Sequence, residues 1–223
     1  MTSEIQAAAR AQQPNSIPLS LFVFAIFYGG MVCIAGVLGS KQVALGPLAV
    51  EAGIFPFLLL VSLASVVTEL HGRATADRLV RLGFIPLVTA IVLTWVVIQL
   101  PTDEGMYEPA KAAFPIVLGQ SWRLMAAGIL AYGTSQTLNV LIFARLQSGM
   151  GHWVAARGAI AGVLSQIVDT LIFITVAFYG VRPIASLIAG QMVAKVVLSI
   201  VLVPVVIKAL IAFGRWLDSR RQA

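Results

Sequence analysis

Three formal charges, Glu69, Asp169 and Lys195, lie inside stretches otherwise built from Leu, Val, Ile, Ala and Phe. Each costs at least ~2.5 kcal/mol at a bilayer centre even on the most lenient insertion scale, so each requires a partner or a water-filled cavity. Other polar residues accompany them at helical spacing. Gln166, Asp169, Thr170 and Phe173 recur at i, i+3, i+4 and i+7 and share one helix face. Tyr132, Ser135, Gln136, Asn139 and Phe143 form a second such face, Gln191, Lys195 and Ser199 a third, and Ser62, Ser65 and Glu69 a fourth. The chemistry this set offers is hydrogen bonding and charge pairing. Metal binding and nucleophilic catalysis are disfavoured, because no His or Cys accompanies the carboxylates within these stretches and no Walker loop, dinucleotide glycine motif or CxxC is present. A structural reading stands beside the functional one: Asp169 pairs with Lys195 and the amides join helices, each such bond contributing ~0.6 kcal/mol. A buried charge pair, Glu69 and four carboxamides exceed what packing requires, since buried polar groups are expensive unless paired.

The elements that carry these residues are six apolar stretches at 19–40, 52–70, 82–101, 124–144, 158–181 and 183–207. Each approximates the ~20 residues that cross ~30 Å of hydrocarbon as a helix. Composition agrees: 59% of residues are hydrophobic and 11% charged, against roughly 25% charged in soluble domains. The fold class is therefore all-α, a polytopic membrane protein with six transmembrane helices. Its domains read as an N-terminal tail at 1–18, a transmembrane domain at 19–213 and a basic tail at 214–223.

With six spans, the Lys and Arg residues divide ten to one side and four to the other, leaving Lys195 within the sixth span. The rich side holds Arg10, Arg73, Arg78, Arg81, Arg145, Arg157, Lys208, Arg215, Arg220 and Arg221; the poor side holds Lys41, Lys111, Arg123 and Arg182. Basic excess marks the cytoplasm, so both termini are expected there. The net charge of +6 then reflects topology and contact with anionic lipid headgroups, not nucleic acid. Residues 1–18 are expected to be a disordered tail without a signal peptide's apolar core. The single cysteine, Cys33, has no intramolecular disulfide partner. Residues 112–122 are expected to form a short interfacial helix, and FGRWLDSRR to continue the last helix into the headgroups.

AGIFPF (52–57), VVTELHG (66–72), GQSWRLMAAGILAYGTSQTLNVLIFARL (119–146), GVLSQIVDTLIFITVAFYG (162–180) and GQMVAKVV (190–197) follow one another in an order and spacing that resembles the vitamin uptake transporter family, the queuosine-precursor transporters. The resemblance covers about residues 19–213, and its most specific part is QxVDTxIF with the downstream GQxxxK. It implies uptake of 7-deazaguanine precursors of queuosine, 7-cyano-7-deazaguanine (preQ0) or its aminomethyl relative preQ1, without a cofactor or metal and without enzymatic conversion. It also implies a fold similar to the six-helix substrate-binding components of energy-coupling-factor vitamin transporters. The chain departs from the family pattern in two places. Ser65 stands where an aspartate precedes the Thr-Glu of the second helix and His71 where a tyrosine follows it, while Ala35 and Gly36 replace a Ser-Asn pair ahead of Lys41.

Such a ligand matches the polar set. Asp169 or Glu69 could accept N1–H and the 2-amino group together in a bidentate, charge-assisted pair. The carboxamides of Gln136, Asn139, Gln166 and Gln191 suit O6, N3 and the nitrile. Phe173, Tyr132 or Phe143 could stack on the ring, and Lys195 balances the carboxylate or donates to O6. One rival reading is a substrate-binding subunit that needs separate ATPase and coupling proteins, docked on small-residue grooves such as Gly29-Gly30 or Ala35 and Gly39. A second, an intramembrane enzyme, lacks a nucleophile or metal set. The substrate within the purine-like class, the energy coupling and homo-oligomer formation stay open at this level.

Overall fold

A computed structural model describes residues 17–45, 48–119, 122–181 and 183–220. Residues 1–16 of the expected tail at 1–18 and the last three residues lie outside the described residues. The chain is helical throughout its membrane domain, with one small hairpin. In order it runs α1 (Leu19–Gly39), β1 (Gln42–Leu45), β2 (Leu48–Glu51), α2 (Ile54–His71), α3 (Arg73–Leu82), α4 (Phe84–Gln99), α5 (Glu108–Leu118), α6 (Trp122–Arg145), α7 (Gln147–Met150), α8 (Val154–Phe178) and α9 (Ala185–Ser219).

Among the described residues, α1, α2, the α3–α4 run Arg73–Gln99, α8 and most of α9 are each long and apolar enough to cross a membrane. α6, which carries Tyr132, Ser135, Gln136 and Asn139, qualifies as the sixth only together with α5, against which it is bent. The protein is thus an all-α polytopic membrane protein.

α2 is the central helix, packed against α1, α3, α6, α8 and α9. That position explains how its polar residues are tolerated. Ser62, Ser65 and Thr68 turn their hydroxyls back to the carbonyls of Leu58, Val61 and Ala64 at 2.7–2.9 Å, satisfying themselves within their own helix. α6 and α8 form the most extensive helix pair, followed by α8 and α9. Small residues permit the latter approach. A Cβ on Gly158 would collide with the Ile207 side chain, and one on Gly162 would sit 3.4 Å from Val61 and 3.6 Å from Val203. The turn from α2 to α3 is made by Gly72 at φ 82°, a conformation that costs other residues strain. α4 is peripheral and buries none of its side chains.

Three details differ from the sequence reading. The connection after α1, whose structure the sequence did not indicate, is an antiparallel hairpin in which Gln42 pairs with Glu51 and Leu45 with Leu48, its ends joined by Ala52 N–H donating to Lys41 O at 2.8 Å. The interfacial helix occurs at Glu108–Leu118, because Pro109 fits the first turn of a helix, where its missing N–H would be unpaired anyway. The fifth span begins upstream, at Val154, which brings Arg157 inside. Arg157 is therefore a fully buried side chain and not a loop cation.

Candidate functional site

A cavity of about 740 Å³ opens at the hairpin end of the bundle, opposite the end rich in Arg and Lys. Its walls come from the second half of α1, the hairpin, the start of α2, α4, α5, the start of α6, and the facing stretches of α8 and α9. Most of this lining is aliphatic. At its floor lies an ion pair, Lys195 Nζ to Asp169 Oδ2 at 2.9 Å, with the two side chains only 9% and 7% exposed. Ser135 Oγ donates to the other carboxylate oxygen at 3.3 Å. The ammonium also lies 6.0 Å from the centroid of the Phe57 ring, within reach of a cation–π attraction. Phe173, one turn beyond Asp169 on α8, lines the same cavity, as do Tyr132, Trp95, Thr94 and Glu51.

Of the eight candidate residues, Asp169, Lys195 and Phe173 come together at the cavity. The others are placed elsewhere. Gln136 is fully buried and its Oε1 accepts from the Tyr28 hydroxyl at 3.4 Å. Asn139 donates through Nδ2 to Val61 O at 3.1 Å and Ser65 Oγ at 3.3 Å. Gln166 is buried with neither amide atom hydrogen-bonded, and Gln191 is buried with Oε1 unpaired. Glu69 lies near the basic end, where its Oε2 accepts from Arg157 at 2.6 Å. That guanidinium also donates to Gly151 O at 2.9 Å and covers the Phe143 ring at 4.3 Å.

Other candidates acquire packing roles. The Tyr132 hydroxyl donates to Val80 O at 2.9 Å and packs where a Cβ on Gly83 would be, so it fixes the α3–α4 junction while its ring edge lines the cavity. The Ala35–Gly39 groove of α1 is occupied within the chain, since a Cβ on Gly53 would sit 2.9 Å from Ala35 O and 3.1 Å from Gly39 Cα. Arg123 donates to Val176 O at 3.1 Å and Tyr179 O at 3.0 Å. It thereby caps carbonyls that the end of α8 leaves without helical partners.

The sequence reading missed Glu51, Phe57, Trp95 and the Glu69–Arg157 pair. For the last, a signal was present: Arg157, Ala161, Ser165 and Asp169 stand at successive i+4 steps, with Gly158 and Gly162 beside them. That run of small and polar residues extends the polar face of α8 back to Arg157.

A helical bundle with a cavity of about 740 Å³ ending on a buried ion pair defines a polytopic membrane protein. Comparison with known families makes the assignment particular. The family model described as "Putative vitamin uptake transporter" matches residues 51–209, and the chain belongs to that family. It is 32% identical over 123 residues to a "Probable queuosine precursor transporter" of Bacillus subtilis, covering 53% of this chain and 52% of the relative. To a protein of the same description from Haemophilus influenzae it is 25% identical over 125 residues, covering 56% and 49%. The matched region thus spans about half the length of these curated relatives. No solved structure matches.

Proposed function

We propose that this protein imports a 7-deazaguanine precursor of queuosine, preQ0 or preQ1, across a bacterial inner membrane, binding it at Asp169, Lys195 and Phe173 without altering it chemically. The basic end, with both termini, faces the cytoplasm, and the cavity faces outward. One observation carries the reading: the Asp169–Lys195 pair closes the floor of the cavity within hydrogen-bond reach of a bound ligand.

The carboxylate and ammonium are each satisfied only by groups that can be exchanged. Asp169 accepts one charged and one hydroxyl hydrogen bond, and its lone pairs can accept further donors. A ligand presenting N1–H and a 2-amino group side by side offers two parallel donors to one carboxylate, while its O6 accepts from Lys195. Phe173 supplies a ring for stacking, worth ~1–3 kcal/mol for a base. The cavity volume lies in the ~300–1,000 Å³ range of small-molecule sites. The names of the two relatives support the choice of heterocycle.

The test is nutritional and chemical. In bacteria unable to make preQ0 and fed low external preQ0, expression of this chain should restore queuosine in tRNA. Guanine, which carries the same donor edge, should compete better than adenine or hypoxanthine, which lack it, because a hydrogen-bonding site rejects mismatched analogues strongly. Equal competition by adenine would remove Asp169 from the recognition role.

A further inference from the structure

Asp169 on α8 joins Ser135 on α6 and Lys195 on α9, one through each carboxylate oxygen. Moving one helical turn toward the basic end along each helix, about 5–6 Å, leads to Asn139 on α6, Gln166 on α8 and Ser199 on α9. All three are fully buried, and all three carry polar atoms without a hydrogen-bond partner: Asn139 Oδ1, both amide atoms of Gln166, and Ser199 Oγ. An unpaired buried polar group costs ~1–3 kcal/mol, and four at one level are more than helix packing demands. Two amides and a hydroxyl together offer donors and acceptors to a flat heterocycle, as the floor pair does.

Beyond this level the bundle is shut. Gly162 brings α8 onto Val61 and Val203, Gly158 packs against Ile207, and Arg157 lies between Phe143 and Glu69. From Asp169 to Arg157 is twelve residues along α8, or about 18 Å. Among the described residues, the charged contact in this closure is the Glu69–Arg157 pair.

We infer that Asn139, Gln166 and Ser199 form an inner station that receives the ligand from the Asp169–Lys195 floor, and that the Glu69–Arg157 pair is the latch barring its exit at the basic end. The inference rests on the proposed function, because it takes the same ligand one turn deeper. Three helices repeat the polar motif at the lower level, and a path needs successive sites of similar chemistry. Glu69 thereby acts as a gate residue outside the binding cavity.

Cysteine accessibility tests both levels separately. In the unaltered chain, Cys33 lines the cavity and should react with a membrane-impermeant methanethiosulfonate applied from the hairpin side, with preQ0 slowing the reaction at least about fivefold. In a Cys33→Ala, Ser199→Cys chain, reagent applied from the basic side should react slowly. Adding Glu69→Gln should speed it at least about tenfold, and preQ0 should slow it again. If Glu69→Gln prevents accumulation, the double change Glu69→Gln with Arg157→Gln, which leaves no lone buried charge, should give the same acceleration. Protection of Cys33 without any latch effect or preQ0 protection at position 199 overturns the inner station and leaves the cavity reading standing. No protection at Cys33 overturns both.

Discussion

Removing one or both members of the Asp169–Lys195 pair gives different and calculable outcomes. At 2.9 Å and an effective dielectric of about 20, two unit charges attract by about 6 kcal/mol. Desolvating the two ions costs several kcal/mol each, so the pair contributes little net stability. Removing one partner is another matter, since the survivor is left buried and unpaired, at a cost of ~3–5 kcal/mol. Asp169→Asn or Lys195→Met alone should therefore lower the apparent melting temperature in detergent by about 6–20 °C, at ~2–4 °C per kcal/mol for a chain of this size. The double variant should lose less than about 8 °C, because no uncompensated charge remains. Ser135→Ala removes one 3.3 Å hydrogen bond and should lower it by less than either charge change. The measurement is the fraction of folded protein surviving a heating series, read by fluorescence-detected size exclusion. Should the double variant lose the sum of the two single losses to within ~0.5 kcal/mol, the limit for independent sites, the two groups do not interact and the floor of the cavity has been misdescribed.

A reporter fused after Ala223 or within 147–155 should register the cytoplasm and one within 102–110 the exterior; a cytoplasmic signal from 102–110 would contradict the proposed orientation. Gly158→Ala drives a methyl into Ile207 and should cost ~1–3 kcal/mol, with Ile207→Ala restoring part of the loss in the same thermal assay; no rescue would mean that the α8–α9 contact is not the cause. Arg123→Met leaves the carbonyls of Val176 and Tyr179 without this donor and should cost about 0.5–1.5 kcal/mol, since water can reach the exposed end, while preQ0 protection of Cys33 in the survivors stays unchanged. The purified chain in liposomes should take up labelled preQ0 unaided; accumulation only after adding an ATPase and coupling protein would assign it instead to the substrate-binding subunits of multi-component transporters.

Sequence alone determined the fold class, since only helices satisfy every backbone group across ~30 Å of lipid and the apolar stretches have that length. It also determined the polar faces, because a 3.6-residue period assigns Asp169 and Phe173, or Ser135 and Asn139, to one side of a helix whatever its neighbours are. The charge cost inside lipid pointed to Asp169 and Lys195 as partners, and they are paired. What sequence could not decide is which face meets which. Depth along the bundle follows from helix start, tilt and stagger, and these come from packing contacts such as Gly158 on Ile207 and Gly53 on Ala35. Four residues' difference in the start of α8 changed Arg157 from a loop cation into the buried partner of Glu69. The same contacts separated the carboxamides from the cavity and admitted Glu51, Phe57 and Trp95 to it. Periodicity is a property of one helix, whereas a site is a property of several, and only their tertiary packing fixes the distances between them.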